Sequence, residues 1–168
     1  NMIVSDSIFT LEECNEIVGF LKTADHLFEK QNKDNMSYSK WHLNDHSFKY
    51  RNRLQEYVNN KLNISSKDSD IIFIKYSKDD YMGTHVDKSN ESEYHRDSMY
   101  NFNVRLNDDF EGGEFKLKNK KFIAPIGTIY HYSSSTPHSV TKIKEGTRYM
   151  LLFYLRERNV TDFKKSLF

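Results

Sequence analysis

A histidine and an aspartate stand two residues apart in the stretch YMGTHVDKS, as His85 and Asp87. Positions i and i+2 of an extended strand project to the same face, so this imidazole and this carboxylate could converge on one point. Such pairs also arise by chance. A second pair, His95 and Asp97, stands in a polar segment where two solvated side chains are the ordinary interpretation. The first pair therefore needs support from the rest of the chain before it indicates a metal site.

A third candidate ligand is His138, which follows a proline and opens another alternating apolar stretch. Two imidazoles and one carboxylate on one face would leave coordination positions open, an arrangement that suits Fe(II) and oxygen chemistry. Zinc remains an alternative on spacing alone. A surface pair at His85 and Asp87, together with a histidine in the core, is another.

Arg148 is the first residue of the apolar stretch RYMLLFYL. A charge at the head of a buried strand needs a partner, because an unpaired interior charge is very costly. A guanidinium suits bidentate pairing with a carboxylate. That carboxylate could belong to a dicarboxylic acid bound beside the metal, or to an acidic residue of the chain in a structural salt bridge. Both interpretations of Arg148 stay open at this point.

The first part of the chain is predicted to be helical. Thr10 and Glu13 form a capping-box pattern that opens the stretch LEECNEIVGFLKTA. Apolar residues at helical spacing predict the buried face of this helix. These residues are Leu11, Cys14, Ile17, Val18 and Leu21. A second helix is predicted over residues 45–63, and the polar residues 29–44 between the two helices are predicted to be a loop.

Beyond residue 65 the pattern changes to that of short strands. Residues 70–77 are β-branched and aromatic, and residues 101–107 alternate strictly between apolar and polar. Further strand-like stretches continue to about residue 156, separated by turn residues such as the glycines at 112–113. Strands at this spacing after leading helices indicate a mainly β, α+β fold, a sandwich or barrel buttressed by helices. We expect a single domain.

The composition excludes several classes of protein. The net charge is +1, from 25 basic and 24 acidic residues, so no overall field attracts nucleic acid or an anionic membrane. Cys14 is the lone cysteine, which excludes a disulfide framework and a cysteine zinc site. No apolar run reaches the roughly 18 residues of a membrane span, and no signal peptide is visible. We expect a soluble, cytoplasmic protein of bacterial or viral origin.

From about Asp70 to Arg156 the sequence resembles the 2-oxoglutarate and Fe(II)-dependent dioxygenases, specifically their prolyl 4-hydroxylase-like branch. The resemblance rests on several motifs that occur in the family's order, and on no single one of them. The motifs are KYSKDDYMGTHVD, RLNDDFEGGEF, PIGTIYHY, PHSV and EGTRYMLLFYL. The resemblance implies a double-stranded β-helix, or jelly-roll, core at about residues 70–156, with a helical buttress at about residues 10–63.

By this resemblance, His85, Asp87 and His138 match the iron ligands of the family and are the expected catalytic residues. Arg148 matches the basic residue that binds the distal carboxylate of 2-oxoglutarate. Tyr76 matches a tyrosine that commonly contacts this cosubstrate, although an aromatic residue of the core is the other interpretation of Tyr76. The implied cofactors are Fe(II), 2-oxoglutarate and O2, with ascorbate as a reductant.

One residue departs from the family pattern. Arg105 stands before the Leu-Asn pair, where relatives often have an aromatic or small residue. Alternation predicts that Asn101, Asn103 and Arg105 face the cavity of the barrel, since the apolar residues between them claim the packed face. Asn103 and Arg105 are therefore candidate substrate residues. Arg105 could instead contact the cosubstrate, or pair structurally with Glu114.

The implied reaction is the hydroxylation of an unactivated C–H bond, coupled to oxidative decarboxylation of 2-oxoglutarate. A prolyl residue in a protein or peptide is the leading substrate. The polar segment 88–100, which includes the candidate substrate residue Tyr94, is either a lid over that substrate or a surface loop. A free amino acid or other small molecule is the alternative substrate. A nucleic-acid-directed oxygenase is a further alternative, but Tyr154 stands where repair enzymes of the superfamily typically carry a second arginine.

Overall fold

The computed structural model describes residues 4–43, 47–66, 69–87, 98–156 and 160–163. In these ranges the helices are Leu11–Thr23 (α1) and Arg51–Leu62 (α2), with a short 3-10 turn at Asp25–Leu27. The strands are Val4–Ser7 (β1), Glu29–Lys33 (β2), Met36–Leu43 (β3), Ile64–Ser66 (β4), Asp70–Tyr76 (β5), Tyr81–His85 (β6), Ser98–Arg105 (β7), Phe110–Gly112 (β8), Phe115–Leu117 (β9), Lys120–Lys121 (β10), Thr128–His131 (β11), His138–Val140 (β12), Ile143–Gly146 (β13), Arg148–Arg156 (β14) and Val160–Phe163 (β15). Neither described helix is long and apolar enough to cross a membrane.

Helix α1 begins with the predicted capping box. The Glu13 backbone N–H donates to the Thr10 hydroxyl (3.1 Å), and the Thr10 backbone N–H donates to the Glu13 carboxylate (2.9 Å). This reciprocal pair satisfies donors that the start of a helix leaves free. The predicted apolar face is buried except for Leu11, which is 60% exposed. Side chains of a helix lean toward its N-terminus. Leu11 is the first residue of α1, so its side chain has no preceding helical turn to pack on and stays exposed.

Helix α2 is shorter than predicted and begins at Arg51, not at residue 45. Phe48 lies in the turn before the helix, and its ring packs edge-on against Phe73 (5.4 Å between centroids) and Tyr50 (5.7 Å). Phe48 therefore packs against the sheet and does not belong to the buried face of a helix. The helix ends at Asn63, whose φ of 54° is the left-handed conformation common after a helix C-terminus.

A β-hairpin of β2 and β3 occupies residues for which the sequence predicted a loop. Its register runs from the pair Glu29 and Lys40 to the pair Lys33 and Met36. Asn35 takes a φ of 66° in the turn, which asparagine tolerates better than most residues. The prediction was wrong because β2 is exposed along most of its length, so its sequence, EKQNK, lacks an apolar alternation.

The tip of this hairpin packs against β6. The Gly83 N–H donates to the carbonyl of Asn35 (2.7 Å), and Met36 pairs with Met82. A Cβ at position 83 would lie 2.1 Å from the end of the Asn35 side chain, so a residue larger than glycine there would require that side chain to move. The hairpin is thereby fixed beside the strand that ends at His85.

The main sheet is antiparallel and curls until its two ends face each other. Its strand order is β1-β11-β7-β14-β5-β3-β6-β12-β9-β10, with β2 paired to β3, and the pairs β13–β8 and β15–β4 form two small sheets. Phe115 on β9 and Tyr130 on β11 stand near opposite ends of this order, yet their ring centroids are 5.6 Å apart. This closure makes a jelly-roll core, and the predicted fold, mainly β with buttressing helices, is confirmed.

Alternation along the strands separates two apolar clusters. On β14 the odd-numbered residues from Tyr149 to Leu155 pack with α1 and α2. The even-numbered residues from Met150 to Tyr154 face the inside of the curl. Arg148 has the same parity as this inner set, so the period of the strand directs its guanidinium inward.

The glycine pair at 112–113 forms the predicted turn between β8 and β9. Gly112 has a φ of 77° and Gly113 a φ of 60°, both in the left-handed region. A Cβ on Gly112 would also lie 2.2 Å from the carbonyl oxygen of Lys142. Both the backbone conformation and the available space therefore exclude a side chain at position 112.

We expect Gly112→Ala to lower the free energy of unfolding by about 1–3 kcal/mol, because it places a β-carbon on a left-handed residue against a carbonyl oxygen. Gly19→Ala is the matched control. Gly19 is exposed within α1 and a Cβ there meets nothing within 4 Å, so alanine should raise stability by about 0.5–1 kcal/mol. Urea unfolding followed by circular dichroism measures both changes. Effects of the same sign would contradict this account of the turn.

Candidate metal centre

Two of the predicted ligands lie directly opposite each other on neighbouring strands. His85 ends β6 and His138 begins β12, and the antiparallel register of these strands pairs one with the other. Their ring centroids are 4.2 Å apart. Two positions 53 residues apart in the sequence (138 − 85) are thus brought together by a single strand pairing.

Asp87 joins this pair from beyond the end of β6. The strand stops at His85, and Asp87 lies in a bend where its backbone N–H donates to the carbonyl of Ser134 (3.0 Å). Its Oδ1 lies 3.0 Å from His138 Nε2 and 3.6 Å from His85 Nε2. One ligand atom from each of the three residues lies within 4.8 Å of the other two. The three predicted ligands therefore form one cluster.

Both imidazoles are held in the orientation that a metal ligand needs. His85 Nδ1 lies 2.8 Å from the Gly83 carbonyl, and His138 Nδ1 lies 2.9 Å from the Thr136 carbonyl. A carbonyl oxygen only accepts hydrogen bonds, so each neutral ring carries its proton on Nδ1 and presents the lone pair of Nε2 toward Asp87. Two imidazoles and one carboxylate arranged in this way fit Fe(II).

The surroundings of Asp87 and His85 shift the pKa values of both residues. Burial raises the pKa of the Asp87 carboxyl, but its interactions with His138, His85 and Asn101 outweigh burial and hold this pKa below its ordinary value. Burial lowers the pKa of His85, whereas Asp87 and the Gly83 carbonyl raise it above its ordinary value. The result is an anionic carboxylate that faces two imidazole nitrogens, which suits the binding of a divalent cation.

The cluster has a fourth member that the sequence analysis did not assign to the site. Asn101 on β7 donates a hydrogen bond from Nδ2 to Oδ2 of Asp87, the carboxylate oxygen that does not face the imidazoles. This contact restricts the rotation of the Asp87 carboxylate. The alternation of Asn101 and Asn103 with apolar residues placed both on the cavity face, but spacing alone could not show which of them would reach Asp87.

Arg148 is buried, with 3% of its surface exposed. Among the described residues, no carboxylate lies within 4.0 Å of its guanidinium, and its Nη1 contacts the Met150 sulfur at 3.2 Å. The guanidinium also lies 5.6 Å from the centroid of the Tyr76 ring. A structural salt bridge, one of the two interpretations of Arg148, is therefore absent from the described part of the chain.

The cluster opens into a cavity of about 310 Å³ on the inside of the curled sheet. Besides the three predicted ligands, its walls include Tyr76, Met82, Asn103 and Met150. Asn103 is buried, and its Nδ2 has no hydrogen-bond partner in the described ranges. A buried donor of this kind needs an acceptor, so Asn103 has the geometry expected of a residue that contacts a ligand.

Arg105 lines a second cavity of about 190 Å³, together with Arg148, and Phe115 lines both cavities. Arg105 donates to the carbonyls of Asn107 (3.1 Å) and Ala124 (2.8 Å). It does not pair with Glu114, which pairs instead with Lys121 (3.1 Å). That structural alternative for Arg105 is wrong, and two arginines share one pocket.

Other side chains whose types could bind a metal or a substrate lie elsewhere. His131 faces the helix side of the sheet and stacks on Phe102, with centroids 4.9 Å apart. Trp41 packs among aromatic residues of the helix-side core, 5.6 Å from Phe73, and so belongs to the core. Tyr94 and the pair of His95 and Asp97 lie outside the described residues. The predicted loop 88–100 ends earlier than expected, because Ser98 already belongs to β7.

Comparisons with known proteins agree with this geometry. Residues 71–156 match the family described as the 2OG-Fe(II) oxygenase superfamily. A PKHD-type hydroxylase of Prochlorococcus marinus is 29% identical over 90 residues, which cover 51% of this chain and 41% of that protein. The match therefore spans less than half the length of this relative.

Solved structures share the fold. A prolyl-4-hydroxylase of Pseudomonas putida superposes with a TM-score of 0.73 at 12% identity, covering 92% of this chain and 91% of that one. A prolyl hydroxylase of Trichoplax adhaerens, in complex with a hypoxia inducible factor peptide fragment, superposes with a TM-score of 0.70 at 17% identity, covering 94% and 84%. At these identities the likeness concerns the fold.

We expect Asn101→Ala to weaken metal binding about 10- to 100-fold, because it removes the donor that orients the Asp87 carboxylate. Asn103→Ala is the matched control, since Asn103 lies two residues away on the same cavity face and makes no contact with Asp87. Titration of both variants with Mn(II) in a calorimeter gives the two affinities. Equal losses in the two variants would show that Asn101 has no particular role in holding Asp87.

Proposed function

This chain belongs to the 2OG-Fe(II) oxygenase superfamily, and we propose that it hydroxylates a prolyl residue of a protein or peptide. The family predicted from the motifs is confirmed by the match over residues 71–156. The prolyl 4-hydroxylase-like branch is supported by the named PKHD-type relative and by the fold shared with prolyl hydroxylases. The activity and its substrate are inferred from the residues of the site.

The observation that carries the proposal is the buried guanidinium of Arg148. A cation in the interior needs a counter-charge, and the described part of the chain supplies no carboxylate within 4.0 Å. Arg148 belongs to the inner face of β14, next to Met150 of the cavity wall. The distal carboxylate of 2-oxoglutarate would supply the missing negative charge, in the bidentate geometry that a guanidinium prefers.

We assign His85, Asp87 and His138 as the ligands of Fe(II). The backbone carbonyls that accept from the two Nδ1 atoms keep both rings oriented before any metal arrives. When bound, Fe(II) and 2-oxoglutarate supply the oxidative chemistry, in which O2 and 2-oxoglutarate yield carbon dioxide and succinate while one oxygen atom enters a C–H bond of the substrate.

Tyr76 is placed to contact the cosubstrate and is assigned that role. Burial raises the pKa of its phenol well above the ordinary value, although the neighbouring Arg148 works in the opposite direction. The phenol therefore remains protonated at neutral pH and is available as a hydrogen-bond donor. Tyr76 lines the same cavity as the three metal ligands. It is also the register partner of Arg148 on the neighbouring strand.

A peptide is the proposed substrate because apolar and aromatic side chains form part of the cavity wall. Met36, Tyr38 and Met82 form this part of the wall. They offer contacts suited to a proline ring, which has no N–H to satisfy. The peptide in the Trichoplax adhaerens complex supports this class of substrate. The net charge of +1 speaks against a nucleic-acid substrate.

The direct test supplies the purified protein with Fe(II), ascorbate and 2-oxoglutarate. We expect slow release of succinate without substrate, and its loss in His138→Ala, because one of the three ligands is removed. His26→Ala, at an exposed histidine outside the cluster, is the control and should keep the wild-type rate. Succinate release by His138→Ala at the wild-type rate would overturn the assignment of the metal site.

The substrate class is tested in the same assay. Proline-containing peptides should stimulate succinate release and gain the mass of one oxygen atom. Stimulation by free amino acids alone, or by single-stranded DNA alone, would replace the peptide with a small molecule or a nucleic acid as the substrate.

We expect Arg148→Ala to raise the KM for 2-oxoglutarate by about 10- to 150-fold, since a hydrogen bond to a charged group contributes roughly 1.5–3 kcal/mol. Arg148→Lys keeps the charge without the bidentate fork and should fall between the wild type and alanine. Initial rates of succinate release against 2-oxoglutarate concentration give the three KM values. An unchanged KM in Arg148→Ala would make this arginine structural.

A further inference from the structure

We propose that Lys33 and Lys40, on the hairpin of β2 and β3, make this enzyme select peptides that carry an acidic side chain beside the hydroxylated residue. Both lysines line the cavity that holds the three metal ligands. The proposal rests on the proposed peptide hydroxylation and adds the chemistry of the substrate to it.

The hairpin presents these lysines to the cavity through the alternation of its strands. On β3, Met36, Tyr38 and Lys40 line the cavity, whereas Trp41 packs on the helix side. Lys33 is paired with Met36 across the hairpin. This wall of the cavity therefore combines apolar contacts with two ammonium groups.

The wall is close to the metal cluster. Met36 pairs with Met82 on β6, the strand that ends at His85. The Gly83 N–H donates to Asn35 at the hairpin tip (2.7 Å). A peptide whose reactive residue reaches the cluster would thus pass along the hairpin, with its neighbouring side chains within reach of the lysines.

A third lysine of the hairpin, Lys30, already has a carboxylate partner. Lys30 forms an ion pair with Asp80, a buried residue that also accepts a hydrogen bond from the Ser37 hydroxyl (2.9 Å). Within the described ranges, neither Lys33 nor Lys40 has a carboxylate within 4.0 Å. Glu29 is paired with Lys40 in the register without forming such an ion pair. The chain thus neutralises the lysine outside the cavity and leaves the two inside it available.

Lys40 is also half-buried, which makes its charge costly to hold. Burial lowers the pKa of Lys40, the charge of Lys33 lowers it further, and Glu29 acts in the opposite direction. An anion between the two ammonium groups would relieve both the desolvation and the repulsion. The site is therefore arranged for a negatively charged group of the substrate.

A carboxylate side chain fits this site better than a phosphate backbone. Nucleic-acid binding relies on several cations that follow successive phosphates. Here two lysines stand among methionine and tyrosine side chains, in a chain whose net charge is only +1. Glutamate or aspartate next to the reactive residue meets the two lysines while the rest of the peptide contacts the apolar wall.

The experiment measures binding separately from turnover. Short fluorescein-labelled peptides with a central proline flanked by glutamate, glutamine or lysine are titrated with the full chain, in the presence of Mn(II) and 2-oxoglutarate, and followed by anisotropy. We expect the glutamate peptide to bind roughly fivefold to tenfold more tightly than the glutamine peptide at low salt, and the lysine peptide most weakly.

Variants of the two lysines assign the preference to them. The double variant Lys33→Gln and Lys40→Gln should bind the glutamate and glutamine peptides equally, and Lys40→Glu should shift the preference toward the lysine peptide. Lys22→Gln is the matched control, because Lys22 is an exposed lysine in the last turn of α1 and lies outside the cavity. It should keep the preference for the glutamate peptide.

Each outcome supports or overturns the inference about the two lysines. Equal binding of the three peptides by the wild type, or a preference that survives the double variant, overturns the inference even if proline is hydroxylated. Tighter binding of single-stranded DNA than of the glutamate peptide, lost in the double variant, overturns it in favour of phosphate recognition. A lysine-dependent preference for glutamate without oxygen gain supports the inference and removes prolyl hydroxylation as the reaction.

Discussion

The carboxylate of Asp87 is the point at which the curled sheet closes on itself. One of its oxygens faces the two imidazoles of β6 and β12, and the other accepts from Asn101 on β7. In the strand order, β14, β5 and β3 separate β7 from β6 and β12. The Asp87 side chain therefore connects β7 to two strands with which β7 does not pair. The positions of the three proposed metal ligands and the shape of the cavity depend on the same closure.

The interior of this fold accepts polar groups that an ordinary core would exclude. In the described ranges the buried Arg148 has no carboxylate partner, and the buried Asn103 Nδ2 has no hydrogen-bond partner. Both positions follow from strand parity in a sheet whose inner face surrounds a cavity. A buried polar group without a partner costs free energy, and a ligand of opposite polarity would offset that cost. Under the proposed function, these two groups predict the polarity of the ligand: an anionic end at Arg148 and an acceptor near Asn103.

Much of the site could be predicted from the sequence because it depends on local spacing and on strand parity. The interval of two between His85 and Asp87, and the polar head of an apolar strand at Arg148, are visible without coordinates. The contact of Asn101 with Asp87 was not predictable, because it depends on how far the sheet curls. The hairpin of β2 and β3 was also missed, since an outer strand with both faces near solvent carries no alternation of apolar residues.

The contact between Asn35 and Gly83 links two positions that are distant in the sequence. The carbonyl of Gly83 orients the His85 ring, and the Asn35 side chain occupies the volume that any side chain at position 83 would need. Homologous chains should therefore vary at these two sites in a correlated manner. A residue larger than glycine at the site equivalent to 83 is expected together with a smaller residue, or with a differently placed side chain, at the site equivalent to 35. The hairpin turn and the strand that ends at His85 thus constrain each other through the space that the Asn35 side chain occupies.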